Sequence, residues 1–303
     1  MKSWILVTGL GLALSGFFPR VAVGQETGKW LLRIKKVPDQ KLTYKNLYRM
    51  AFYADRAREL SASSSSGNPS LSIDISREWS MEETFRVEKK DTLVAAVMTR
   101  ASELARINQQ TTTKEMYPWS LDDLKGREMT WRLGADGAVS GFLPGREPER
   151  LTIATVFADI RMAVESDSYP ILPPEPKGVG DSWTLERTAK TLYEEFQNFE
   201  AQTRFTSTMK IKGMKKKGDR NCVEIEETRQ VFYRGWVNTS INALILEGEG
   251  KGKGTWLIDA DNGVVVEHQV RMDLEPKPTV VGETSQRNVD VRLTIWVERK
   301  LEK

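Results

Sequence analysis

The sequence has very little of the side-chain chemistry that enzymes and metal sites use. Among 303 residues there is one cysteine, Cys222, and one histidine, His268. A single cysteine cannot form an internal disulfide, and the alternating residues around Cys222 predict a small buried strand residue. His268 has no cysteine near it, so it lacks the ligand spacing of a zinc site and is expected to pack in the core or at its rim. We therefore assign no catalytic, cofactor-binding or metal-binding residue and expect a protein that is not an enzyme.

Two other patterns that can carry chemistry are incomplete. The glycine-rich run 248–254 lacks the lysine-hydroxyl ending and the following helix of a phosphate-binding loop. It predicts a flexible loop or an irregular strand that leads into Trp256. Acid pairs such as Asp122 and Asp123 could act in a glycoside hydrolase if they were held across a glycosidic bond. The chain has 42 acidic residues, so pairs arise by chance, and a hydrolase is the last of our hypotheses.

The chain also lacks a strong excess of charge of either sign. The formal charge of +3 falls to about +1 when Lys2 and Arg20 leave with a signal peptide, and a balance this small does not indicate a nucleic-acid partner. Basic residues are concentrated locally at Lys215, Lys216 and Lys217, on a predicted hairpin tip. A solvated tip is the simplest interpretation. The sharper one is contact with anionic envelope polymers or lipid headgroups.

The chain has one long apolar run, and it lies at the N-terminus. Residues 4–18 follow the positive Lys2 and precede a small-x-small pattern that ends at Gly24. This order predicts a signal peptide over residues 1–24, cleaved between Gly24 and Gln25. The run is too short to span ~30 Å of hydrocarbon comfortably. There is also no cysteine at the cleavage site to which a lipid could be attached. We expect a soluble periplasmic or secreted bacterial protein, with no lipid anchor and no transmembrane segment in the mature chain.

A proline-rich joint divides the remaining chain. Residues 169–180 contain four prolines, which excludes a helix interior or a central strand there. The joint separates a first β-rich half, residues 25–168, from a second half, residues 181–303.

The two halves carry the same landmarks in the same order. Trp131 and Trp256 are 125 residues apart, and Asp136 and Asp261 have the same offset. Each tryptophan precedes a turn that contains Asp and Gly, which is typical of a β-hairpin. Matching landmarks at a constant offset predict a tandem duplication.

The period of the apolar residues predicts a mainly β (α+β) fold. Apolar and polar residues alternate over 264–274 and again over 289–297, as in antiparallel strands with one face on a core. We predict two related curved antiparallel sheets or half-barrels with one packed helix. That helix is placed at residues 148–166, where the apolar residues have helical spacing. A second short helix is placed near 192–199. Residues 93–107 have helix-forming composition but a strand's place in the repeat, and we favour a strand.

The joint carries a short motif found elsewhere. Leu172-Pro173-Pro174 is followed by Val179-Gly180-Asp181-Ser182-Trp183. This pattern resembles an "LP…VGDSW" joint in a group of exported bacterial β-rich proteins of unknown function, over the last two thirds of the chain. The resemblance implies a curved-sheet fold and brings no catalytic residues. The implied fold is broadly similar to that of lipoprotein carriers of the LolA type, and this similarity is at the level of fold alone.

Three functional hypotheses follow from these patterns. The first is non-catalytic binding of an apolar small molecule or lipid between sheet and helix. Its candidate ligand-facing residues are Phe157 and Ile160 on the helix and Val264, Val266 and His268 on a strand. The second is a structural or interaction protein that docks to an envelope protein through strand edges or the lysine hairpin. The third is the hydrolase.

Overall fold

The structure is a computed structural model. It describes residues 28–34, 39–55, 70–88, 92–109, 112–116, 121–134, 136–145, 160–192, 199–238, 243–280 and 289–302. The predicted signal peptide and its cleavage site at Gly24 and Gln25 lie outside these residues. So do residues 148–159 of the predicted helix, among them Phe157.

The described residues form fifteen strands, one α-helix and one 3-10 turn. The strands are β1 Lys29–Trp30, β2 Lys41–Ala54, β3 Leu71–Val87, β4 Thr92–Gln109, β5 Thr112–Met116, β6 Glu128–Leu133, β7 Val139–Pro144, β8 Lys177–Gly178, β9 Ser182–Leu192, β10 Phe199–Lys217, β11 Arg220–Asn238, β12 Ala243–Asp259, β13 Val265–Leu274, β14 Lys277–Val280 and β15 Val291–Leu301. The helix, α1, covers residues 160–167, and the 3-10 turn covers Leu121–Leu124. The predicted mainly β class with one packed helix is confirmed.

Thirteen of these strands form one antiparallel sheet. Its order is β7-β6-β4-β3-β2-β15-β13-β12-β11-β10-β9, with β5 paired to β4 and β14 paired to β12. Strands β1 and β8 form a separate two-stranded sheet. The two predicted halves therefore do not have a sheet each, because the last strand, β15, pairs with β2 and joins them. We call this β15–β2 pairing the seam.

Alternation of apolar and polar residues gives the main sheet an inner face and an outer face. On β15, Val291, Leu293, Ile295 and Val297 are all buried on the inner face. Helix α1 packs against that face through Ile160, Ala163 and Val164. Burial of one strand face against a helix explains why these strands need a period of two and not a continuous apolar run.

The segment with helix-forming composition is a strand. Residues 93–107 lie within β4, which pairs with β3 on one side and with β5 and β6 on the other. Val94, Ala96 and Met98 are all buried on one face of β4. Pairing on both sides outweighs the modest helix propensity of alanine, methionine and arginine. In the region of the second predicted helix, Leu192 ends β9 and Phe199 begins β10, and residues 193–198 lie outside the described part.

The proline-rich joint is anchored by hydrogen bonds to its surroundings. The Leu172 backbone N–H donates to the Asp136 carbonyl at 2.7 Å, and the Trp183 indole N–H donates to the Ile171 carbonyl at 3.0 Å. Close packing of the joint also explains Gly137, which has φ +89° and would place a Cβ 2.0 Å from the Pro170 carbonyl oxygen. Residues without regular secondary structure are thus held in one position.

The glycine-rich run is a regular part of β12. Gly248, Gly250, Gly252 and Gly254 take every second position and so share the inner face. A Cβ at any of the four would lie 2.9 Å or less from an atom of a neighbouring residue. The run therefore allows a close approach of backbone and side chains on the inner face.

Candidate functional site

A row of large polar and aromatic side chains crosses the centre of the inner face. Cross-strand pairing places Trp79, Asn46, Arg299, His268 and Trp256 directly opposite one another in turn, on β3, β2, β15, β13 and β12. All five are buried. We call them the inner row. Directly opposed residues point to the same face of a sheet, so strand register alone brings these distant positions together.

Arg299 forms a buried ion pair across the seam. Its Nη2 donates to both carboxylate oxygens of Glu83 at 2.7 and 2.8 Å. The guanidinium lies 3.6 Å above the centre of the Tyr44 ring, and the Tyr169 hydroxyl donates to Glu83 at 2.5 Å. Burial alone would lower the pKa of Arg299, but the Glu83 carboxylate outweighs it and holds that pKa above its usual range. Arg299 is therefore a fixed cation.

A second buried cluster lies further along the inner row. Arg229 donates through Nε to Glu227 Oε1 at 2.6 Å and lies 2.7 Å from Asp167. Trp256 donates its indole N–H to Glu227 at 2.8 Å. Burial raises the pKa of a carboxyl, but Arg229 outweighs it and lowers the pKa of Glu227 to about 2. Arg229, followed by His268, likewise brings the pKa of Asp167 well below its usual range, against the effect of burial.

His268 is enclosed on every side that the structure describes. Its ring stacks on Trp256 with 3.4 Å between ring centres. Nδ1 lies 3.0 Å from the Thr255 carbonyl and Nε2 lies 3.4 Å from Asp167. These contacts with Trp256, Thr255 and Asp167 fix the orientation of the ring.

The residues that end α1 hold it to the sheet by polar contacts. We call residues 166–169 the latch. Arg187 on β9 donates to the Ser166 carbonyl at 2.5 Å and to the Tyr169 carbonyl at 2.8 Å, which satisfies carbonyls that a helix C-terminus leaves without a partner. Ser168 accepts from Arg299 at 3.3 Å. With Asp167 on Arg229 and Tyr169 on Glu83, the latch contacts both halves of the sheet.

A small cavity adjoins α1 next to the latch. It has a volume of about 20 Å³ and is lined mainly by apolar side chains, including Met162, Phe205, Tyr233 and Ile295. A space of this size holds about one water, whereas ligand pockets have volumes of about 300–1,000 Å³. The space that the described residues enclose beside α1 is therefore too small for a lipid.

The apolar inner face continues past this cavity into a half-exposed region. Met50, Phe52, Ile73 and Ile75 on β2 and β3 share the face of the core residues opposite them, yet each is only half-buried. Tyr233, on β11, borders the cavity itself, and burial raises the pKa of its phenol to about 12. We call Met50, Phe52, Ile73 and Ile75 the open end, and they offer an uncharged, half-buried apolar surface.

The predicted ligand-facing residues lie apart from the open end. Ile160 and Val264 are buried in the main core, and His268 belongs to the inner row. Phe157 lies outside the described residues. None of the four described side chains, Val266 included, borders the 20 Å³ cavity.

Val266 departs from the predicted alternation. The register between β12 and β13 shifts at Leu257 and Ile258, so that Ile258 faces Val265. This β-bulge adds one residue to β13 and sends Val266 to the other side of the strand. There it packs with Cys222 and Leu257 in a separate cluster. The predicted placement of Val266 on the His268 face is therefore wrong, because the sequence pattern does not show the bulge.

The predicted anion-contact lysines lie at the β10–β11 hairpin tip, as expected. Lys215 lies 2.9 Å from Glu224, and Lys217 lies 2.7 Å from Glu267. Lys216 is exposed at the tip. Two of the three positive charges are therefore already balanced by a carboxylate.

Sequence reasoning missed the charged residues of the inner face. Glu83, Glu227, Arg229 and Arg299 all occupy inward positions of alternating strands, where an apolar residue is usual. That mismatch between charge and position was the available signal, because a buried charge needs a partner of opposite sign. Among the described residues, no group of three or more His, Cys, Asp and Glu side chains is arranged to hold a metal ion.

Comparison with known proteins gives little. No protein-family model matches the chain, and no curated protein matches it. Among solved structures, it aligns with a predicted exported protein with a YmcC-like fold from Bacteroides fragilis, at 9% identity and a TM-score of 0.21, over 89% of this chain and 98% of that chain. At these values the alignment assigns no function, and similarity to LolA-type carriers stays a prediction. In the part that the structure describes, no helix is long and apolar enough to cross a membrane.

Proposed function

We propose that this chain is a non-catalytic binding protein of the bacterial envelope, and that an apolar or lipid-like ligand lies on the open end of its inner face. The observation that carries the proposal is the change in burial along that face. The inner row is closed by the latch, whereas Met50, Phe52, Ile73 and Ile75 stay half-exposed on the same face. Neighbouring apolar side chains that the core leaves only half-buried are candidates for a binding surface.

The buried carboxylates on and against the inner face support a binding role over a catalytic one. Each of Glu83, Glu227 and Asp167 is held by an arginine. A general acid or base must instead reach a substrate and exchange a proton near the working pH. All three carboxylates are buried and paired, and the pKa values of Glu227 and Asp167 are lowered; such groups suit the attachment of α1.

The test is binding of the apolar fluorophore N-phenyl-1-naphthylamine. Ile75→Gln and Met50→Gln should each weaken binding about fivefold, since a half-buried aliphatic contact contributes about 1 kcal/mol. The matched control is Leu143→Gln, because Leu143 is 64% exposed on the edge strand β7. It should bind like the unchanged protein.

Native mass spectrometry of protein purified from its own envelope gives a second measurement. A discrete added mass that organic extraction removes would support a bound lipid. Equal affinity of all three variants for the fluorophore, together with a bare chain or a chain bound only to another protein, would contradict the proposal.

A further inference from the structure

Among the residues that the structure describes, exposed positive charge lies on the outer face of the sheet as well as at Lys216 of the hairpin tip. At the tip, Lys215 and Lys217 are paired with carboxylates. On β12, the inner positions are glycines, and Lys251 and Lys253 occupy the outward positions between them. Both lysines are exposed, and among the described residues no carboxylate lies within 4.0 Å of either Nζ.

These two lysines line a groove across the outer face. Two open recesses, each of about 580 Å³, lie side by side over β10, β11 and β12. Both are lined by Thr206, Gln230 and Lys251, so they form one continuous groove. We call it the outer groove. Its length covers at least four neighbouring strands, from β10 to β13, or about 15 Å at the usual strand spacing.

One acid of the outer groove, Asp273, is already paired with a cation. Asp273 accepts from the Arg271 guanidinium at 3.0 to 3.2 Å and from the Thr294 hydroxyl at 2.8 Å. These contacts, opposed by partial burial, keep the pKa of Asp273 below its usual range. Arg271 is balanced by Asp273. Three further cations, Arg204, Lys251 and Lys253, then outnumber Glu249, the other acid of the lining.

Neutral hydrogen-bonding groups surround the lysines. Thr206, Thr208, Thr228 and Gln230 point into the outer groove. Threonine hydroxyls and the glutamine amide can each donate and accept, which is what sugar hydroxyls require. The combination of hydroxyl-rich walls with two unpaired ammonium groups fits a chain of sugars that carry carboxylates.

We propose that the outer groove binds a linear acidic polysaccharide through Lys251 and Lys253. A groove that runs across the strands admits a single extended chain, whereas a flat lipid surface would meet the side chains that project beside the groove. Duplex nucleic acid would need a wider basic surface than two lysines supply. The outer groove is on the opposite face from the open end, so this site does not depend on the proposed function.

The test uses sodium polygalacturonate as the probe, with isothermal titration calorimetry at low salt. The double variant Lys251→Gln/Lys253→Gln should bind about tenfold more weakly, since two exposed charge contacts are lost. The control variant Lys125→Gln/Lys216→Gln removes the same charge from exposed positions outside the outer groove. It should change the affinity less than twofold. Binding should weaken as the salt concentration rises, because salt screens the charges of exposed lysines.

Several outcomes would overturn the proposal. One is an equal loss of polygalacturonate affinity in the two double variants, and another is no binding of polygalacturonate at all. The others are binding of uncharged dextran as tight as that of polygalacturonate, and tighter binding of a DNA duplex or of phosphatidylglycerol vesicles. N-phenyl-1-naphthylamine affinity measured on the same proteins separates the two sites. The Lys251→Gln/Lys253→Gln variant should keep that affinity, and its loss would indicate misfolding or a shared site.

Discussion

The ion pair between Glu83 and Arg299 gives the sharpest prediction about stability. The two side chains are 0% and 1% exposed, so Glu83→Gln leaves a guanidinium buried without a counter-ion. Breaking a buried pair from one side costs about 3–5 kcal/mol. Glutamine keeps the shape and one acceptor oxygen, so we expect about 3 kcal/mol. In urea unfolding followed by tryptophan fluorescence, the midpoint should fall by roughly 1 M or more.

The neighbouring residue supplies the control. Glu82 precedes Glu83 on the same strand and points to the outer face, where it pairs with Lys41. The Glu82 side chain is 36% exposed and the Lys41 side chain is 66% exposed. Glu82→Gln should cost less than about 1 kcal/mol, as exposed pairs do. Adding Arg299→Met to Glu83→Gln should recover part of the loss, because the unpaired charge is removed. Equal midpoints for Glu83→Gln and Glu82→Gln would refute this account of the inner row.

Two further predictions concern the same face. Gly254→Ala would place a Cβ 2.7 Å from the Gln269 carbonyl oxygen. It should lower the free energy of unfolding by about 1–3 kcal/mol. The control Lys253→Ala changes the neighbouring outward position and should leave the urea midpoint unchanged. The pKa of Glu227 is lowered from 4.5 to about 2, so its stabilising contribution is present above about pH 4.5 and is lost as the pH falls through 2. The midpoints of Glu227→Gln and of the unchanged protein should therefore differ at pH 7 and converge near pH 2; a constant difference would contradict that assignment.

Much of the fold could be predicted because it depends on local alternation. The strands over 264–274 and 289–297 follow from a period of two that the sequence displays directly. The pairing of β15 with β2 could not be predicted in the same way. Their paired residues, such as Val291 and Ala54, are more than 200 positions apart, and no local pattern records which of several apolar strands will be neighbours. The bulge that reorients Val266 also leaves no sign in the sequence.

The candidate site was harder to predict than the fold, for a related reason. Phe157, Ile160 and Val264 were chosen because they are apolar, and apolar residues are equally suited to a filled core and to a ligand surface. Ile160 and Val264 are buried in the core, whereas Met50 and Ile75 are only half-buried. That difference is a property of the packed sheet and not of the local sequence pattern.

The buried ion pair between Arg299 and Glu83 explains why the two halves join in one register. If β15 slipped by two residues, Val297 could take the position of Ile295, because both are aliphatic and face the same way. Arg299 could not, since it lies opposite Asn46, passes over Tyr44 and reaches Glu83 one strand beyond. A slip of two residues would separate that buried pair and leave both charges without partners. The pair therefore specifies the seam, at the position where apolar packing alone discriminates least.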